Sequence, residues 1–443
     1  VRALRSDKRW NVVLTAILLV ALLLRVAVVV ADSGYRPTND AFEYDYYGRS
    51  IAAGHGYGPS GYLRQGGPAA IRGPGYPYLL GAVYAPSDDS RTAGRLLNCL
   101  LGAATVLLIY LIAKRVWGRR TGLIAAGFTA VFPPLVLLSR ELVSESLFIP
   151  LELASVLCVL EFRRSGRRVS WALAAGALCG MAILTRNTGF ALLPPIAFGL
   201  WGGKGRSLRS SFVAPAVAVL STLVVLTPWL LRDAAEFGRF VPVTTSGGIA
   251  LAGTYNQASY SDSSAHGAWR DPQIVPGFTH LFVEPGRDEA EVDQTLRQRA
   301  IAFAVDHPEY VAETSFWNVL RMFELTGGSV VDQRGRDVSD RGIGSTTPPA
   351  ERIGLALAVA LGLVGAVAIL RSRATSRATG ATPRVPTGPA FLWWVPAAML
   401  VIAIPVAGVP RYRLPADPFL MILAAIGAIW LIDTYWHRAQ TER

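Results

Sequence analysis

A chain of 443 residues that is 51% hydrophobic and only 17% charged, with a formal net charge of +12, is too apolar for a soluble globular enzyme. Its apolar residues fall in runs longer than soluble core helices need, which leaves a polytopic integral membrane protein. The three cysteines, Cys99, Cys158 and Cys179, lie inside those runs, so they read as small packing residues and no disulfide framework is expected.

The first run, Trp10 to Ala31, follows Arg2, Arg5, Lys8 and Arg9. It has spanning length and no convincing small-residue cleavage site, so it reads as a retained span rather than a signal peptide. Directly after it, Pro37-Thr38-Asn39-Asp40-Ala41-Phe42-Glu43-Tyr44-Asp45-Tyr46-Tyr47 sets three carboxylates among tyrosines. Apolar segments of about 17–22 residues, roughly what crossing the hydrocarbon takes, recur at 93–113, 121–138, 144–162, 169–184, 211–231, 353–370, 390–408 and 414–433. A shorter one at 189–202 carries Pro194-Pro195 and reads as a broken or re-entrant helix. The expected fold is all-α and polytopic, with about ten transmembrane helices.

Lys and Arg in short loops stay on the cytoplasmic side. The basic clusters are the N-terminus, Lys114/Arg115/Arg119/Arg120, Arg163/Arg164/Arg167/Arg168, Lys204/Arg206/Arg209, Arg371/Arg373/Arg377/Arg384 and the tail after Trp436. With a cytoplasmic N-terminus and ten spans, all of them fall inside. The positive charge is thus a topology signal rather than a mark of nucleic-acid binding. Outside would lie 32–92, the turns 139–143 and 185–188, the long segment 232–352 and the link 409–413.

Three regions follow: 1–231, a transmembrane catalytic module including the outer loop 32–92; 232–352, a small extracytoplasmic helical segment; and 353–443, the C-terminal transmembrane helices. Within the second, Asp288 to Leu325 carries a helical pattern of Val292, Leu296, Ile301, Phe303 and Val305, then, after His307-Pro308, Tyr310, Val311, Phe316, Leu320 and Phe323. Two amphipathic helices are expected there. Gly247 to Pro276 shows no period, and Val330 to Pro349 is polar and expected to be mobile.

The unusual polar chemistry lies in the outer loops. A carboxylate just past the outer end of a span can take a proton from an acceptor arriving from outside, and Asp40 is the first choice. Glu43 and Asp45 share its stretch, and the local pattern does not choose among them; if the stretch is helical, Asp40 and Tyr44 share a face and Asp45 is turned away. Arg72-Gly73-Pro74-Gly75-Tyr76-Pro77 offers a guanidinium fork on a restricted backbone, suited to phosphate oxygens. Ser139 to Phe148 is a charged turn in which Glu145 starts the next helix, where a carboxylate also suits the helix N-terminus. Arg186, in Thr185-Arg186-Asn187-Thr188, and Arg411 and Arg413, in Pro410-Arg411-Tyr412-Arg413-Leu414-Pro415, run against the positive-inside trend and point to an anionic ligand. Inside the fourth span Glu152 is an ionisable group at costly depth, with Arg25 as a candidate structural partner. The five histidines show no metal-ligand spacing.

In their order along the chain, Asp40 with Tyr44, Arg72-x-Pro74-Gly75-Tyr76-Pro77, Ser144-Glu145-x-Leu147-Phe148, Leu184-Thr185-Arg186, Thr227-Pro228-Trp229, His307-Pro308-x-x-Tyr310 and Arg411-Tyr412-Arg413-Leu414-Pro415 resemble the C-type integral membrane glycosyltransferases. The branch they resemble most holds the bacterial protein O-mannosyltransferases and lipid A aminoarabinose transferases. The resemblance implies transfer of a sugar from a polyprenyl-phosphate donor to a glycan, lipid or protein acceptor at the outer face of the cell membrane. It puts the catalytic base at Asp40, a second acid at Glu145, and the donor phosphate near Arg72, with Tyr44, Tyr76, Arg186, Arg411 and Arg413 around the substrate. Relatives often carry an acidic pair after the first span, whereas this chain reads Asp40-Ala41. It implies no fixed metal, although a divalent cation stays open. The rival readings are a polysaccharide polymerase or ligase using a lipid diphosphate, and a secondary transporter.

Overall fold

Every one of the ten predicted apolar segments contains helix. The computed structural model describes residues 2–202, 208–331, 349–380, 382–383 and 385–441, and among these the one pairing of extended backbone is a bridge between Trp269 and Val330. Most of the polar segment expected to be mobile, residues 332–348, lies outside the described residues.

The N-terminal half runs α1 (Arg2–Ala31), α2 (Asn39–Ala52), α3 (Gly75–Tyr84), α4 (Arg91–Trp117), α5 (Arg119–Val131), α6 (Pro133–Leu137), α7 (Glu145–Arg164), α8 (Val169–Thr185), α9 (Leu193–Leu200) and α10 (Leu208–Phe237). Then come two short helices, α11 (Gly247–Thr254) and α12 (Gln257–Tyr260), in the stretch where the sequence shows no period. The stretch expected to hold two amphipathic helices forms α13 (Glu289–Asp306) and α14 (Pro308–Met322), which meet at His307-Pro308. Its apolar residues divide: Val292, Leu296 and Tyr310 are buried, whereas Ile301, Val305 and Phe316 are exposed. Last are α15 (Pro349–Thr379), α16 (Ala390–Ala403) and α17 (Asp417–Thr441).

By length and composition, five described helices, α1, α4, α10, α15 and α17, can cross a membrane, and α5 with α6 makes a sixth if that bent pair is one span. Three more apolar stretches, α8, Asn187–Leu200 and α16, are shorter. α7 has 20 residues but carries Glu145, Glu152, Glu161, Arg163 and Arg164. The chain is therefore an all-helical membrane protein with five or six candidate spans by this measure. Where α15 crosses α17, a Cβ on Gly365 would lie 2.0 Å from the Leu423 carbonyl oxygen and one on Gly427 2.1 Å from that of Leu361. Only glycine permits that backbone approach, a small-residue contact typical of membrane helices.

α5 and α6 meet at 60°, and the sequence explains the bend. Pro133 and Pro134 have no N–H, so the carbonyls of Thr129 and Ala130 lose their helical donors. Arg25, fully buried on α1, supplies the replacement: its guanidinium donates to Ala130 O at 3.1 Å and reaches Thr129 O at 3.5 Å, while also donating to Ala21 O at 2.9 Å. A broken membrane helix is tolerated where such groups are satisfied again. This engagement overturns the expected pairing of Arg25 with Glu152. The buried Glu152 carboxylate accepts no hydrogen bond among the described residues.

One apolar core joins the membrane helices. A second core joins Tyr47, Leu63 and Ile71 of the first loop to Ile249, Leu281, Val292, Leu296 and Tyr310 of the 232–352 segment. Glu289 pins the same contact, accepting from Ala70 N and Thr245 Oγ1 at 2.8 Å each. Packing thus holds residues of the 32–92 loop and of the 232–352 segment against one another.

Candidate active site

α2 displays its acids on two faces. Asp40 and Glu43 are one turn apart and face the same way, with Tyr44 beside them, as the helical period requires. Asp45 points the other way into a closed pocket, where it accepts from Arg49 at 3.0 Å, Arg91 at 2.9 Å and the Tyr84 hydroxyl at 2.9 Å. This carboxylate is buried and fully engaged in tying α2 to α3 and α4.

Arg72 bridges the two acids on the first face. Its Nη2 donates to Asp40 Oδ1 and its Nε to Glu43 Oε2, each at 2.5 Å, and its guanidinium lies 5.7 Å from the Tyr44 ring centroid. Two constraints aim it: the Tyr57 hydroxyl donates to Arg72 O at 2.6 Å, and Gly73 lies so close to the end of α8 that a Cβ would sit 2.4 Å from the Leu184 carbonyl oxygen. That approach brings the loop of Arg72 beside Arg186.

The second carboxylate oxygen of Asp40 accepts from Arg411 Nη2. Arg411 in turn places its Nε 3.0 Å from Glu145 Oε1, and Arg186 Nη1 lies 2.7 Å from the same oxygen. The result is an alternating chain of charges, Glu43–Arg72–Asp40–Arg411–Glu145–Arg186, drawn from five separate parts of the sequence. Ser144 ties it together, accepting from the Tyr44 hydroxyl at 2.8 Å and from Arg186 at 3.0 Å. The Tyr412 ring lies between Arg186 and Arg411, 5.6 and 5.7 Å from their guanidinium carbons.

Burial works against the Asp40 charge, but the adjoining Arg72 and Arg411 outweigh it and hold the carboxyl well below the usual carboxylate range. At Glu43 burial wins over the attraction of Arg72, and the negative Asp40 adds to it, so this carboxyl is pushed up. Arg72 loses some of its charge preference to burial but more than regains it from Asp40 and Glu43, and stays a cation. Behind Glu145 a small cavity lined by Arg25, Asn98, Gly102, Ser139 and Ser146 has room for about one water molecule.

Asp40, Glu145, Arg72, Arg186, Arg411 and Tyr44 therefore meet in one place. Tyr76 stands behind them: its ring meets Tyr44 edge-on at 5.3 Å and its hydroxyl donates to Asn98 at 3.0 Å. Arg413 turns away, donating to Asp417 at 2.9 Å and to the Met322 carbonyl. The reason is the 3₁₀ turn Pro410–Arg413: with three residues per turn, positions two apart face different sides. Ser144 and Tyr412 belong to the motifs around Glu145 and Arg411, but the sequence assigned neither a place in the site. Glu43 was an open alternative, and the shared arginine puts it in the cluster. Among the described residues no three His, Cys, Asp or Glu side chains converge as metal ligands.

Residues 71–231 match the family model described as dolichyl-phosphate-mannose-protein mannosyltransferase. That stretch contains Arg72, Glu145 and Arg186 but not Asp40 or Arg411. The undecaprenyl phosphate-alpha-4-amino-4-deoxy-L-arabinose arabinosyl transferase of Pseudomonas aeruginosa is 33% identical over 157 residues, 33% of this chain and 28% of the relative. Among solved structures, the oligosaccharyltransferase of Archaeoglobus fulgidus in complex with an inhibitory peptide and a dolichol-phosphate superposes with a TM-score of 0.54 at 16% identity, covering 97% of this chain and 51% of that one. Its apo form gives 0.53 at the same identity, covering 97% and 52%. The likeness to these structures is one of fold, and the chain spans about half their length.

Proposed function

We propose that this chain, a member of the C-type integral membrane glycosyltransferase superfamily, moves a monosaccharide from a polyprenyl-phosphate donor to an acceptor at the extracytoplasmic face of the cell membrane. The observation that carries the reading is the alternating cluster: Asp40 at the head of α2 with a guanidinium on each carboxylate oxygen, and further arginine donors within reach of an anion. Ten spans, with both termini cytoplasmic and the three regions 1–231, 232–352 and 353–443, accord with the basic loops and bring the cluster to the outer surface. The donor's prenyl tail then lies among lipid-facing helices, and its phosphate meets Arg72 and Arg411.

In this mechanism the acceptor hydroxyl oxygen attacks the anomeric carbon from the side opposite the phosphate. Its proton passes to Asp40, and the bond from the anomeric carbon to the phosphate oxygen breaks with its electron pair on the phosphate. Arg72 and Arg411 take up the negative charge that develops there, in a site that needs little reorganisation because both are already fixed. Displacement in one step inverts the anomeric configuration, as when the base stands across the sugar from the leaving group in inverting glycosidases. Glu145 positions Arg186 and Arg411 rather than meeting the acceptor. A phosphate lipid is a competent leaving group, so no metal-dependent step is required of these residues. Donor and membrane lipid are the partners; the acceptor is a glycan, lipid or protein hydroxyl.

The test offers purified protein radiolabelled sugar on polyprenyl monophosphate or polyprenyl diphosphate, together with membrane extract. Transfer from the monophosphate supports the reading. Transfer from the diphosphate alone favours a polymerase or ligase, and uptake of the sugar into proteoliposomes without transfer favours a transporter.

A further inference from the structure

Both carboxylate oxygens of Asp40 are occupied. Oδ1 accepts from Arg72 and Oδ2 from Arg411, and each of those arginines is shared with a second carboxylate, Glu43 and Glu145 respectively. With Arg186 on Glu145, three carboxylates meet three guanidinium groups and the cluster is balanced. A base so neutralised is weak, because taking a proton would leave two arginines facing an uncharged acid. Arg72 nevertheless donates to these acids only through Nε and Nη2, so Nη1 remains for a further anion, and its side chain is 21% exposed.

We propose that the donor phosphate itself arms the base. An anion at Arg72 tips the balanced cluster to net negative, and the cluster answers by raising the proton affinity of Asp40. Donor binding and proton uptake are then linked: the donor makes Asp40 a better base, and protonation of Asp40 strengthens donor binding by the same factor. During transfer that proton is the one given up by the acceptor hydroxyl as its oxygen bonds the anomeric carbon. When the polyprenyl phosphate leaves, the cluster returns to balance and the proton passes to water. The device keeps the base idle until donor is present. It rests on the donor class proposed above.

The groups facing Asp40 are Arg72, Arg411 and Arg186, the carboxylates Glu43 and Glu145, and the Tyr44 phenol. Glu43 is the rival proton acceptor, since it shares Arg72. The experiment is calorimetric titration of the full chain in lipid nanodiscs with methyl farnesyl phosphate, a phosphodiester with no titrating group of its own. Heats are compared in two buffers of different ionisation enthalpy, which counts protons taken from solution. Wild type is expected to take up protons on binding, increasingly as pH falls from about 7 to about 5, and to bind up to about tenfold tighter per pH unit. Asp40→Asn should bind without uptake, and Glu43→Gln should keep it. Binding without proton uptake in wild type overturns the proposal, as does uptake that survives Asp40→Asn and vanishes in Glu43→Gln. No binding by wild type overturns it together with the donor assignment.

Discussion

Asp45 follows Asp40 on the same short helix, yet Arg49, Arg91 and Tyr84 occupy it completely, while Asp40 faces residues from three other elements. The two positions therefore separate chemistry from stability. Asp40→Asn should lower transfer by about 10²–10⁴-fold, the usual worth of a positioned base, with the protein still folded. Asp45→Asn should cost about 1–3 kcal/mol of stability by weakening the partner of the buried Tyr84 hydroxyl and the ion pairs with Arg49 and Arg91, while activity per folded molecule survives; thermal unfolding and a transfer assay read the two effects. The opposed shifts of the neighbouring acids give a second test. Asp40, depressed in the folded state, contributes stability that is present above its ordinary value near 3.9 and lost as pH falls through the folded one. Glu43, raised in the folded state, has the opposite sign: its charge penalises the fold above the raised value, and the penalty disappears as pH falls below the ordinary value near 4.3. Glu43→Gln should thus be more stable than wild type at neutral pH, with the advantage shrinking toward pH 4. Equilibrium unfolding across that range would contradict this if the advantage were constant or grew on acidification.

At the scale of elements, the sequence showed where helices lie better than how they end. The run 121–138 reads as one apolar segment of spanning length; the structure breaks it at Phe132 because Pro133 and Pro134 cannot donate. The prolines were the visible signal. What answers them, Arg25, lies on another helix and could not be found from spacing. Arg25→Met should lower the apparent melting temperature in detergent by leaving the carbonyls of Thr129 and Ala130 without a donor, at about 1–3 kcal/mol for each unsatisfied group. Adding Pro134→Ala returns an N–H to Ala130 and should restore part of the loss; an unchanged melting temperature in Arg25→Met would contradict the role. A similar limit governed Arg411 and Arg413. Both read as outward arginines facing an anion, and only the pitch of a 3₁₀ turn, a tertiary outcome, sends one to Asp40 and the other to Asp417.

For the whole molecule, hydropathy conveyed the helical membrane architecture because that signal is local and repeats in every segment. The cluster was legible only in pieces: spacing put Asp40 and Tyr44 on one face, but no local pattern joins them to Arg411 from the far end of the chain. Orientation is open to direct measurement. Cys99, Cys158 and Cys179 are buried, so an impermeant thiol reagent meets little background. Ser263→Cys should react from outside intact cells and Ser170→Cys only after the membrane is opened; the reverse would invert the topology. The central claim, that Asp40 is the base in sugar transfer from a polyprenyl-phosphate donor, is tested most directly by single-turnover transfer in proteoliposomes, with wild type, Asp40→Asn and Asp45→Asn side by side. The predicted result is loss of the transfer step in Asp40→Asn with donor still bound, and near-normal transfer in Asp45→Asn. Unimpaired transfer in Asp40→Asn would contradict the account.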